Sequence, residues 1–153
     1  MRRFPAVFLF VSACVLSPAS SALSASGGAQ SGNPVAASPG NRYLNQLVAT
    51  SPEHQKTLVA LLRGRRDLPE WARSIITNAR YVTSVSRVVS LPEGEFELFG
   101  ACDPRDCPNS HMRILFSIDG AKAWARLVDP KDGQQILGQP SADQLQALMT
   151  PGI

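Results

Sequence analysis

Apolar positions recur at helical spacing in the first half of the chain and at two-residue spacing in much of the second. Tyr43, Leu44, Leu47 and Val48 predict a short helix. A better-marked helix follows, with Ser51 as N-cap, Pro52 at the first helical position and Glu53 in the first turn, ahead of Leu58, Leu61 and Leu62. Gly64 ends it. Asp67-Leu68-Pro69-Glu70-Trp71 reads as another helix start that buries Trp71, Ile75 and Ile76 and leaves Arg73 solvated. After Ala79, β-branched residues predict a strand over residues 81–91, a turn at Pro92-Glu93-Gly94 and a second strand over 96–101. Residues 112–118 alternate, Asp119-Gly120 signals a type I′ hairpin, and residues 121–128 return. Pro130-Lys131-Asp132-Gly133 marks a turn before a short strand at Gln135-Ile136-Leu137. Ser141 and Gln144 form a capping box for a last helix carrying Leu145, Leu148 and Met149. No internal repeat is visible, and this order predicts an α+β fold in which short helices flank a central antiparallel sheet.

The first residues carry a different signal. Arg2 and Arg3 precede an uncharged apolar run from Phe4 to Leu16, which gives way to Ser17-Pro18-Ala19-Ser20-Ser21-Ala22. This is the layout of a secretory signal peptide over residues 1–22, cut after Ala22, and the run is shorter than the roughly 20 residues that span a bilayer. Val11-Ser12-Ala13-Cys14 offers a second reading, a lipobox that would leave Cys14 lipid-modified and the protein anchored to the envelope membrane. Residues 23–41 are Ser, Ala, Gly and Pro with few large side chains, a composition that predicts a flexible tether ahead of a folded domain over residues 42–153. Expected localisation is therefore periplasmic. Of 15 Lys+Arg against 12 Asp+Glu, two arginines lie in the leader, so the remainder is close to neutral and gives no basic surface for nucleic acid.

Beyond Cys14 the cysteines are Cys102 and Cys107, in Cys102-Asp103-Pro104-Arg105-Asp106-Cys107. In an exported chain this spacing most simply closes one local disulfide, whose loop-entropy contribution of about 2 kcal/mol matters less than the shape it fixes. No Cys-x-x-Cys redox motif and no second pair of metal ligands accompanies it, so neither metal nor cofactor is expected. The ring is either a stapled hairpin connection or a contact surface. No phosphate loop or nucleophile motif suggests an enzyme, and the carboxylates Glu95, Glu97, Asp103 and Asp106 are scattered.

Leu68-Pro69-Glu70-Trp71, a strand pair, then a Cys-x-Pro-x-Asp-Cys loop followed by an alternating strand resembles the Ivy family of bacterial inhibitors of vertebrate lysozyme, over residues 43–149. The resemblance implies an exported α+β protein, often a homodimer, that blocks the glycan cleft of a c-type lysozyme with its loop. In the typical loop, Cys-Lys-Pro-His-Asp-Cys, the histidine meets the two catalytic carboxylates of lysozyme. Cys102, Pro104, Asp106 and Cys107 match that pattern, whereas Asp103 replaces the lysine and Arg105 the histidine. A guanidinium presents five donors in a planar fork that suits carboxylates, but Arg is longer than His, and Asp103 adds negative charge. Weaker or redirected inhibition is the expectation, with the organism's own peptidoglycan-cleaving enzymes as the alternative partner. His111, just outside the ring, is either an accessory contact or a surface histidine, and Trp71 and Trp124 either stack on sugar or, by their spacing, pack in the core.

Overall fold

The computed structural model describes residues 37–151, so the expected signal peptide, Cys14 and most of the expected tether lie outside the described residues. Three helices come first, α1 (Leu44–Thr50), α2 (Pro52–Leu62) and α3 (Glu70–Arg73). Six strands follow, β1 (Val82–Thr83), β2 (Arg87–Leu91), β3 (Gly94–Cys102), β4 (His111–Ser117), β5 (Ala123–Asp129) and β6 (Gly133–Leu137), before α4 (Ala142–Met149). All strand pairs are antiparallel, in the order β1-β3-β4-β5-β6, with β2 on the same edge of β3 as β1. The α+β fold with a central antiparallel sheet is thus present. Among the described residues no helix is long and apolar enough to cross a membrane.

Helices cover both faces of this sheet, which explains why β3 and β4 do not alternate cleanly. On one face Phe99, Ala101, Met112, Ile114, Phe116 and Leu127 pack beneath Leu44, Leu47, Leu58 and Trp71 of the first three helices. On the other, Phe96, Leu98 and Leu115 pack with Leu148 of α4. Residues 112–116 of β4 are therefore buried without interruption, a pattern expected of a strand covered on two sides. Both tryptophans pack in these cores: Trp71 is buried, and Trp124 meets Phe96 edge to face with ring centroids 5.8 Å apart.

Several boundaries differ from the sequence expectation. The strand expected over residues 81–91 is broken, because residues 84–86 bulge where three residues face the two of β3 between its β1 and β2 partners. Ser86 at the break donates its amide to Arg42 O instead of the ladder. The turn between β4 and β5 is wider than a two-residue Asp119-Gly120 hairpin: Asp119 Oδ1 accepts from both Ser117 Oγ and the Ala121 amide. Gly120, at φ 74°, lies against α2, where an added Cβ would come within 2.4 Å of His54 Nδ1. The helix at Trp71 lasts a single turn, although Ile75 still reaches the core from the turn beyond it. Met149 is exposed, and Gln144, Ala147 and Leu148 form the buried side of α4 instead. Ser51 does cap the position ahead of α2, but its hydroxyl bonds to His54 Nδ1 at 2.7 Å rather than to the helix backbone.

Among the described residues Glu97 is a fully buried charge, held within β3 between β2 and β4. Glu97 interrupts the apolar run of β3 and accepts from Arg42 Nε (3.0 Å), Ser86 Oγ (2.6 Å) and the Gly40 amide (2.9 Å). Burial pushes its carboxyl up, but these donors together hold it below the usual carboxylate range. The pair, with the Gly40 amide, ties the segment before α1 to the sheet. Removing one partner of such a pair strands the other charge. Glu97→Ala is expected to cost about 3 kcal/mol in urea unfolding, whereas Asp67→Ala, which breaks the exposed Arg65–Asp67 pair, is expected to change the midpoint little. Because the folded-state pKa of Glu97 is depressed, its contribution is complete above its unfolded value and is lost as pH falls through the lower folded one.

Candidate functional site

The β3–β4 connection carries the cysteine ring. β3 ends at Cys102, which pairs across the ladder with His111 at the start of β4. The Cys102–Cys107 disulfide is formed, with Cα atoms 4.9 Å apart. Inside and beyond the ring the backbone turns on itself, through Asp106 N–H to Asp103 O (3.1 Å) and Ser110 N–H to Asp106 O (2.8 Å). Asp103 N–H donates to Ser110 O (3.0 Å) and so closes the base of the loop. Asn109 Nδ2 donates to Asp106 Oδ1 (2.8 Å), which commits Asp106 to shaping the turn.

Asp103 and Arg105 form one unit at the tip. The Asp103 carboxylate turns inward, with its side chain 11% exposed, while the Arg105 side chain is 85% exposed. Asp103 Oδ1 accepts from the Arg105 amide (2.9 Å) and from Arg105 Nε (3.1 Å), and Oδ2 accepts from Nη2 (2.8 Å). The side-chain bond from Arg105, followed by its backbone bond, holds the Asp103 carboxyl below the usual range. The negative charge expected to face a partner is thus already engaged.

The floor beneath the loop comes from elsewhere in the chain. Trp71 Nε1 donates to Ser110 Oγ (2.8 Å), and the Ser110 hydroxyl donates to Asp129 Oδ2 (2.5 Å). Asp129 Oδ1 also accepts from the amides of Lys131 and Asp132. Burial pushes the Asp129 carboxyl up, but the Ser110 hydroxyl and those two amides keep it below the usual range. Grooves of about 360 and 430 Å³ flank the loop, and Glu70, Trp71, Asp103 and Arg105 line both. The helix start at Leu68-Pro69-Glu70-Trp71 and the cysteine ring, about 30 residues apart in sequence, therefore build one surface.

Of the residues singled out in the sequence, Pro104 and Arg105 are exposed at the tip, Cys107 and Asp106 are half-buried, and Cys102 and Asp103 are buried. His111 sits opposite Cys102 on the ladder, just outside the ring and half-buried at the strand start. Burial and Arg126 lower its pKa, against a hydrogen bond to the Pro108 carbonyl. Among the other scattered carboxylates, Glu97 is bonded to Arg42 and Ser86 and is no part of this surface. Ser110 and Asp129 were missed. The available signal was their position, since each is a small polar residue at the end of an apolar strand run, where a buried bond is the usual reason for it. Among the described residues no group of three or more His, Cys, Asp or Glu could hold a metal ion.

Ser110 is the joint of this support. Ser110→Ala is expected to leave the Trp71 N–H and one Asp129 oxygen unpaired and to cost about 2 kcal/mol in urea unfolding. Asn109→Ala, which removes only an exposed bond to Asp106, is expected to produce no comparable shift.

No family model matches the chain. It is 28% identical over 91 residues to a Pseudomonas aeruginosa protein named inhibitor of vertebrate lysozyme, a match covering 59% of this chain and 57% of that protein. It is also 28% identical over 109 residues to an uncharacterized protein of Yersinia pestis, covering 71% of this chain and 65% of the relative. The chain thus spans less than two thirds of the length of either relative. The resemblance to the Ivy family, first carried by the cysteine loop and the helix start, is supported by a named relative, and this chain is a distant homologue of a lysozyme inhibitor.

Proposed function

We propose that this protein is an exported, periplasmic inhibitor that occludes the glycan cleft of a c-type lysozyme with the Cys102–Cys107 loop. The observation that carries this reading is the loop tip itself. Arg105 projects from a disulfide-closed ring bonded through Asp103 to Ser110, which Trp71 and Asp129 hold in turn, so a cationic fork stands on a support that is already ordered. Little conformational freedom is left for such a loop to lose on binding, which favours insertion into a cleft. Glycosidase clefts of this kind carry two carboxylates, and a guanidinium binds a carboxylate through charge-assisted hydrogen bonds. The named relative supports a lysozyme as partner.

A second reading is favoured by Arg105 standing where the family's typical loop has histidine. The same tip would then serve a peptidoglycan-cleaving enzyme of the organism, whose cleft works around a single catalytic acid. Neither reading needs a cofactor or an enzymatic residue in this chain.

Lysis of bacterial cell walls by a c-type lysozyme, with and without the oxidised protein at micromolar excess, tests the first reading. Dose-dependent inhibition is expected, with Arg105→Ala raising the inhibition constant at least tenfold, about 1.4 kcal/mol. An unchanged constant would move the anchor away from Arg105, and no inhibition by the native protein would turn attention to endogenous enzymes. Reducing the disulfide is expected to weaken inhibition more than it lowers the urea midpoint, because six residues close a ring whose main effect is on loop shape. Equal losses in both measurements would count against loop rigidity as the mechanism.

A further inference from the structure

We infer that Asp103 is a positioning residue: it fixes the Arg105 guanidinium so that its remaining outward donors receive one carboxylate of the partner end-on, rather than bridging two. This rests on the loop being the surface that meets the partner. A guanidinium has five N–H donors. In this loop the Nε donor and one on Nη2 are spent on Asp103, which leaves the Nη1 pair and the second Nη2 donor facing away from the ring. Those at the outer end form a fork that matches the two oxygens of a single carboxylate. The Nε side, which a second carboxylate would need, is already filled.

The arrangement is a property of the pair and not of either residue. Asp103 is held first by the backbone, through the Arg105 amide bonded to Oδ1 and its own amide bonded to Ser110 O. Its buried carboxylate is therefore a fixed reference against which the exposed arginine is aligned. Without it, an 85%-exposed arginine would sample many rotamers and lose that freedom on binding. Asp103 and Arg105 are the two ring positions that depart from the family's typical loop, and the structure joins them by three hydrogen bonds. They behave as one compensated exchange.

The test uses the oxidised protein with Asp103→Asn, Arg105→Ala and the double variant. Asparagine can still accept from the Arg105 amide, so the turn is retained while the charged clamp is lost. In the free protein, the Arg105 Nε–H followed by nitrogen-15 NMR is expected to exchange with solvent at least tenfold faster in Asp103→Asn. With a purified c-type lysozyme as probe, Asp103→Asn is expected to raise the inhibition constant about tenfold in the native background and to change nothing when Arg105 is alanine. Replacing the two cleft carboxylates of the lysozyme by amides, one at a time, is expected to weaken binding for one of them only. An unchanged Nε–H exchange rate would overturn the positioning role, as would an Asp103→Asn effect that persists without Arg105. Equal losses from both lysozyme amides would overturn the end-on assignment. Absence of inhibition by the native protein would remove the lysozyme reading, and the exchange rate would then decide the role of Asp103 by itself.

Discussion

The seven-residue ladder between β3 and β4 is the constraint on which the rest of the molecule depends. Its residues alternate between two cores, so Phe99 and Ile114 hold the first three helices on one side while Leu98 and Leu115 hold α4 on the other. At one end it places Glu97, the buried charge that fastens the segment before α1. At the other it sets Cys102 opposite His111, so the chain must turn back within the eight intervening residues. The disulfide and the Asp103–Ser110 bond then leave that turn little choice of shape. Loop and core are in this sense one structure, because the strands that position the loop are those the helices cover.

The helices and most strands were legible because local chemistry and packing agree there. Pro52 at the start of α2 and the Ser141–Gln144 capping box are local signals, and both appear in the structure where the sequence places them. The ring was legible from cysteine spacing, since its closure needs no long-range information. The exceptions have long-range causes. Ser86 leaves its strand for Arg42 and Glu97, partners 44 and 11 residues away. The Asp119-Gly120 turn opens because the loop docks on α2, where Thr57 donates to Gly120 O and His54 lies against the glycine. A two-residue pattern cannot announce either contact. The site shows the same limit: its exposed tip could be read from sequence, but its floor of Trp71, Ser110 and Asp129 is assembled from three separate segments.

The structure also changes what the two departures in the ring mean. Taken singly, an aspartate where the family's typical loop has lysine weakens a cationic tip, and an arginine in place of histidine overextends it. Together the carboxylate is turned in and bonded to the guanidinium, and the exposed face of the loop remains a set of donors. Such a tip carries less net charge than a lone arginine. Its recognition therefore depends on geometry at short range more than on steering from a distance.

Entry of the loop into a partner's cleft would show in amide hydrogen exchange of the oxidised protein, alone and with saturating c-type lysozyme. New protection is expected over residues 103–110 and the adjoining start of α3, with the β1–β2 edge unchanged. Protection confined to that edge, or none at all, would contradict a loop-in-cleft complex.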